Sequence, residues 1–115
     1  MNNAGADGVV EFKGLLSFLI LHELREEALY GEQLAERIGK RKGAMLTPGT
    51  IYPALKKLRA HRLIKFSREG RCKIYTLTPR GKQEVRSLYR LFGRYFRGLG
   101  QYVLAVRAKP KRRRH

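Results

Sequence analysis

The stretch that most narrows what this chain can fold into is Thr47–Leu58, TPGTIYPALKKL. Threonine followed by proline is a helix-start signal. The hydroxyl can accept from a free backbone N–H, and proline suits the first helical position, where its missing donor costs nothing. Ile51, Leu55 and Leu58 then recur at four- and three-residue spacing, which makes one apolar stripe for a core. Thr50, Tyr52, Lys56, Lys57 and Arg59 fall off that stripe and leave a basic, hydrogen-bonding outer face. A short core-anchored helix with such a face can enter a DNA major groove. A surface helix with a solvated basic face is the competing reading. Pro53 lacks a donor and crowds the carbonyl of Gly49, so the first turns are expected to be distorted.

Charge is the second constraint. The chain carries 26 Lys and Arg against 9 Asp and Glu, a formal +17. Such a surface binds polyanions at least non-specifically, through release of condensed counterions. An anionic membrane surface would attract it as well, and composition does not separate the two. At 115 residues the expectation is one small domain, with an added arm at most. Cys72 is the lone cysteine, so no intrachain disulfide forms, and a reducing cytoplasm is the default compartment. No apolar run approaches the ~18 residues of a membrane span, and Leu15–Leu21 is broken by Ser17. The first residues, MNNAGADGVV, lack the basic-then-apolar order of a signal peptide. A soluble cytoplasmic protein without a membrane partner follows.

In chain order, residues 1–9 read as a flexible leader. Val10–Glu26 has helical patterning that is apolar on several sides: Phe12, Leu15, Leu16, Phe18, Leu19, Ile20, Leu21 and Leu24. One face would meet the domain's own core and another a second subunit, with a misjudged strand as the competing reading. Ala28–Gly31 is a short break. Glu32–Lys40 follows as an amphipathic helix on Leu34, Ala35 and Ile38, ended by Gly39 or Gly43. The connection onward to Thr47 exceeds the three- or four-residue turn of a minimal helix-turn-helix, which favours a winged variant. After the 47–60 helix, the β-rich runs Leu63–Ser67 and Cys72–Leu77 flank a turn at Glu69–Gly70. Lys65, Arg68, Arg71 and Lys73 cluster near the tip of this hairpin.

Thr78–Pro79 repeats the start signal and opens a last helix, expected over 79–107. Val85, Leu88, Phe92, Tyr95, Leu99, Tyr102 and Val106 form a heptad seam, widened by Tyr89, Phe96 and Val103. From Val85 to Val106 that helix would be about 30 Å long. The preceding elements cannot cover such a length, so the far end is expected to pack on a partner's copy. Gly93, Gly98 and Gly100 each cost about 1 kcal/mol in a helix interior, so the far end frays alone or the glycines permit close helix approach. Residues 108–115 form a basic tail, expected to be disordered and to add phosphate affinity. The fold class is mainly α with a small β-hairpin (α+β), with residues 10–78 as the DNA-binding domain.

These strings, in this order, resemble the PadR family of transcriptional regulators. GLLSFLILHEL is similar to that family's first helix, LYGEQLAERI to its second, LTPGTIYPALKKL to its recognition helix, and LIKFSREGRCKIYTLTPRGKQEV to its wing and fourth-helix entry. The resemblance runs from about Phe12 to Val85 and favours the short subgroup with a single C-terminal helix. It implies a winged helix-turn-helix, a homodimer through the first and last helices, and double-stranded DNA as partner, with repression as the usual role. Carried over residue by residue, DNA contacts fall to Thr47, Pro48, Gly49, Thr50, Tyr52 and Lys56. Tyr30 and Gln33 become candidates for phosphate, and Arg68, Gly70, Arg71 and Lys73 occupy the wing. The dimer interface falls to Phe12, Leu16, Leu19, Leu88, Phe92, Tyr95, Phe96, Leu99 and Tyr102. None of the DNA candidates is a bidentate arginine-to-guanine reader.

The chain has no tryptophan, so the stacking residue of some drug-binding relatives is missing. Aromatic residues at heptad spacing, such as Phe92, Tyr95 and Phe96, are usually core, and a small-molecule effector at the dimer interface lacks sequence support. No cofactor is expected. His22, His61 and His115 stand apart, without a nucleophile, phosphate loop or acid pair beside them, so no catalytic residue is assigned. Cys72 has no CxxC partner, and no metal site is assigned. Two other readings stay open: a nucleoid or architectural protein that coats DNA without sequence preference, and a winged helix that binds protein or RNA.

Overall fold

The computed structural model describes residues 13–108, so the expectations for the leader, Phe12 and residues 109–115 lie outside the described residues. In chain order the elements are α1 (Leu15–Glu23), β1 (Leu29–Tyr30), α2 (Gly31–Lys42), α3 (Pro48–Ala60), β2 (Ile64–Glu69), β3 (Cys72–Leu77), α4 (Pro79–Tyr95) and α5 (Gly100–Ala108). The chain divides into a unit up to Val85 and a second from Arg86 onward.

The first unit is built on the stripes visible in the sequence. Ile51, Leu55 and Leu58 of α3 are buried, as are Leu34, Ala35 and Ile38 of α2 and Ile20, Leu21 and Leu24 at the end of α1. Leu29, Ile64, Tyr75 and Leu77 close this core from the sheet, and Val85 closes it from α4. Each of the leucine, isoleucine and valine side chains contributes about 1.5–3 kcal/mol when removed from water. The sheet is antiparallel in the order β1-β3-β2. Its hairpin turns through Gly70 and Arg71, with Glu69 facing Cys72. Gly70 has φ +64° and Arg71 does not share the positive region, which matches a two-residue turn with glycine in the first place.

Several expectations are corrected here. The first helix is shorter than 10–26: Lys13–Gly14 form a turn, with Gly14 at φ +82°, and the helix ends at Glu23. The break at 28–31 contains a strand, β1, that pairs Leu29 with Tyr75 and Tyr30 with Ile74. Pro53 does not interrupt α3. It lies on the exposed side, as does Gly49 four residues back. Finally, the last helix is not continuous over 79–107. It stops at Tyr95, passes through a turn over 96–99 with Gly98 at φ +81°, and resumes at Gly100. The left-handed conformation is the one glycine adopts without a Cβ penalty, and it ends a helical ladder. The heptad seam therefore loses its register after Tyr95. In this second unit Tyr95, Phe96, Leu99, Tyr102, Val103 and Leu104 are all exposed, at 43–67%.

Candidate nucleic-acid interface

The site is the outer face of α3 together with the hairpin that follows it. Burial of Ile51, Leu55 and Leu58 fixes the rotation of α3, and that rotation puts Thr47, Pro48, Gly49, Thr50, Tyr52, Lys56, Lys57 and Arg59 on the surface. On β2 and β3, Ile64, Phe66 and Arg68 share one face with their register partners Leu77, Tyr75 and Lys73. The inner part of this face is core and its outer end is cationic. Glu69 and Cys72 point to the opposite face, at the tip.

Charge is segregated between the two halves of the unit. Glu23 and Glu27 pair with Arg37, and Glu23 also holds Arg41 through bonds of 2.9 and 3.0 Å, so the arginines of α2 are paired within the α1–α2 side. From α3 to β3 the cations are Lys56, Lys57, Arg59, Arg62, Lys65, Arg68, Arg71 and Lys73, against Glu69 alone. Among the described residues none of these cations has a carboxylate within ion-pair distance. A surface of unpaired cations on adjoining elements is a counterion-condensing surface, ready to exchange small anions for a polyanion.

The candidates from sequence are placed as follows. Tyr52 is partly exposed, and its ring lies over Gly31, where an added Cβ would stand 2.8 Å from the ring. Gly31 is thus the close-approach residue that lets α3 seat against the start of α2. Thr47 Oγ1 lies 3.1 Å from Thr50 Oγ1 and makes no bond to the backbone, contrary to the capping role expected for it. Pro48, Gly49 and Lys56 are exposed beside them. Arg68, Gly70, Arg71 and Lys73 are exposed on the hairpin.

Tyr30 and Gln33 hold internal bonds. The Gln33 Oε1 accepts the Tyr30 backbone N–H at 2.8 Å, closing the first turn of α2. The Tyr30 hydroxyl donates to Glu69 Oε1 at 2.7 Å, which ties the hairpin tip to the start of α2. A phenol has one proton, and here it is committed to a carboxylate. The same bond, with the carboxylate's charge and slight burial, raises the Tyr30 pKa above its ordinary value. Gln33 keeps its amide NH2 donors for an external acceptor.

The dimer candidates fall in three groups. Leu16 and Leu19 of α1 are half-buried, Leu88 and Phe92 of α4 likewise, and Tyr95, Phe96, Leu99 and Tyr102 are exposed. Arg59 and Phe66, both outside those candidates, also meet at the interface. Arg59 has its guanidinium 4.5 Å from the centre of the Phe66 ring. Burial raises the Tyr75 pKa, Tyr52 adds to the rise and Arg59 opposes it, so Arg59 also acts electrically on Tyr75. The off-stripe position of Arg59 is its only signal in the sequence, and nothing there ties it to Phe66.

Among the described residues there is no group of three or more His, Cys, Asp or Glu that could hold a metal ion, and no helix long and apolar enough to cross a membrane.

Comparison with known proteins gives the same architecture. A PadR-family transcription regulator from Clostridium difficile R20291 superposes with a TM-score of 0.63 at 29% identity, covering 79% of this chain and 99% of that one. RosR of H. salinarum superposes at 0.67 with 25% identity, over 84% of this chain and 94% of that one. PadR of Bacillus subtilis, solved in complex with operator DNA, superposes at 0.57 with 33% identity, over 65% of this chain and 46% of that one. An uncharacterized 37.1 kDa protein in transposon Tn4556 of Streptomyces fradiae is 35% identical over 83 residues, which are 68% of this chain and 24% of that protein. The chain thus spans about a quarter of the length of this curated relative. Residues 20–87 match the family described as the transcriptional regulator PadR-like family. With the winged fold and more than half of its sequence in that match, the chain belongs to the PadR-like family of transcriptional regulators.

Proposed function

We propose that this chain is a cytoplasmic, DNA-binding repressor that acts as a homodimer on a pseudo-palindromic operator. The N-terminal half of α3 enters the major groove, and the β2–β3 hairpin lies along the adjoining backbone. Thr47, Pro48, Gly49, Thr50, Tyr52 and Lys56 are the contacts on the helix, with Arg68, Gly70, Arg71 and Lys73 on the wing. The observation that carries this reading is the basic surface of α3 and the hairpin, where the cations face Glu69 alone and, among the described residues, hold no ion pair, while Arg25, Arg37 and Arg41 of the α1–α2 side do. The Bacillus subtilis relative bound to operator DNA supports it. Tyr30 acts by fixing the wing, and Gln33 reaches phosphate through its free NH2.

Dimerisation draws support from the exposed Tyr95, Phe96, Leu99, Tyr102, Val103 and Leu104, which need an apolar partner surface. Two recognition helices related by a two-fold axis then stand about 34 Å apart, one turn of DNA. Charged substitution of Phe92 and Leu99 gives monomers in sedimentation and weaker DNA binding. A dimer that survives both changes would refute this interface.

The test of function is selection of duplexes from a random DNA pool at roughly 50 and 200 mM salt, a range over which purely phosphate-driven binding weakens steeply. The proposal expects one inverted repeat that survives the higher salt. A featureless pool whose binding vanishes with salt assigns the protein instead to non-specific DNA coating, the reading favoured by its net charge of +17. Preference for RNA over DNA duplexes would refute both, because the deep, narrow major groove of A-form RNA excludes a helix.

A further inference from the structure

Phe66 stands at the centre of the basic surface. It is half-buried on β2 and meets its register partner Tyr75 edge-on, with ring centres 5.8 Å apart and planes at 60°. Three cations from three elements close around it: the Arg59 guanidinium at 4.5 Å from the ring centre, the Lys73 ammonium at 4.6 Å and the Arg68 guanidinium at 5.9 Å. All lie within the ~6 Å over which a ring quadrupole attracts a cation. Among the described residues none has a carboxylate partner, and the nearest acid in sequence, Glu69, points to the other face and is bonded to Tyr30. Three like charges repel one another. The ring offsets part of that repulsion, and an external anion would offset the rest.

We propose that Phe66 is a platform that holds Arg59, Arg68 and Lys73 as one clamp on a phosphodiester stretch of the bound DNA. This rests on the DNA-binding reading above and adds two residues to it: Arg59 as a further phosphate contact and Phe66 as a positioning residue. The ligand chemistry follows from the groups. Two guanidiniums and an ammonium offer many donors and three positive charges but no acceptor, which suits a run of phosphate oxygens and no base edge in particular. Arg59 lies in the last turn of α3, where the negative end of the helix dipole favours a cation. Confining long side chains before binding lowers the ordering cost on contact. The clamp therefore contributes affinity and register, while sequence is read at the other end of α3.

The experiment measures affinity for one defined duplex across a salt series, for the wild type and for F66L, R59Q and K56A. F66L keeps an apolar side chain against Tyr75 and removes the quadrupole. The clamp predicts about three- to tenfold weaker binding at fixed salt, with a near-native melting temperature. R59Q is expected to weaken binding to all sequences alike and to lower the salt slope by about one. Native-like affinity of folded F66L, or an unchanged slope in R59Q, would overturn the clamp. If F66L fails to fold, the R59Q/K73Q double variant decides. One shared phosphate stretch gives a combined loss smaller than the product of the single losses, and independent charges give the full product, which overturns the proposal. K56A separates the two levels of the argument. Loss of binding in K56A alone leaves the DNA reading standing without the clamp, whereas no loss in any variant removes both.

Discussion

The two Thr-Pro helix starts of this chain carry the same signal in sequence and end in different places. At α4, Thr78 Oγ1 accepts the Gly81 backbone N–H at 2.9 Å and donates to the Arg62 carbonyl at 2.7 Å. It caps the helix and ties it to the loop before the wing. At α3, Thr47 Oγ1 faces Thr50 Oγ1 and leaves the backbone of the first turn unbound by any side chain. The residue three places on decides the difference. Gly81 has no side chain and presses against the Leu63 carbonyl, so its N–H is delivered to Thr78. Thr50 brings a hydroxyl of its own, and the pair is exposed. One start is closed by the protein, and the other is left open where a ligand would approach.

This contrast can be broken by substitution. The largest effect is expected from G81A, whose Cβ would run into the Leu63 carbonyl, a contact the backbone can relieve only by moving. A loss of about 2–3 kcal/mol in denaturant unfolding is expected. At Gly49 the nearest atom to an added Cβ is Thr47 Oγ1 at 3.9 Å, so G49A leaves stability unchanged or slightly raised. Next, T78A removes a cap and orphans the Arg62 carbonyl, for about 1–2 kcal/mol. T47A stays within about 0.5 kcal/mol, yet it weakens duplex binding. Equal destabilisation by T47A and T78A would erase the distinction between the two starts.

The smallest effect concerns pH on the α1–α2 side. His22 is held below its ordinary pKa of 6.5 by burial and by Arg25 and Arg41, with Glu23 and Glu26 opposing. The unfolded chain therefore binds the proton more readily than the folded one. Stability from this group is intact above pH 6.5 and is lost as pH falls through the unfolded and then the folded pKa. Melting curves of wild type and H22Q between pH 7.5 and roughly pH 5 should show the shallower fall in H22Q. A parallel fall would assign the acid sensitivity to other groups.

How legible each part was follows from the range of the forces that fix it. The stripe of α3, the hairpin and the Thr78–Pro79 start rest on spacing and local chemistry, and all three appear, except that β2 runs Ile64–Glu69 and the hairpin turns one residue later than expected, at Gly70 and Arg71, because Glu69 pairs with Cys72. Strand β1 was hidden, because two residues carry no periodicity and Leu29–Tyr30 become a strand only by pairing with β3. The Phe66 cluster was hidden for the same reason: Arg59, Arg68 and Lys73 are brought to one ring by tertiary packing and strand register. At the C-terminal helix the glycines signalled a weakness, but regular seam spacing outweighed it. A left-handed Gly98 resolves that conflict as a turn. The internal bonds of Tyr30 and Gln33 depend on where Glu69 and the start of α2 meet, which spacing does not encode.

The most direct test of the central claim is the dependence of duplex affinity on salt for wild type, K56A and R71A, one cation from each half of the exposed basic surface. The account predicts weaker binding in both variants, with each slope of log K against log salt reduced by about one. Wild-type affinity and slope in both would contradict it, and DNA, if bound at all, would have to meet a different face of the molecule.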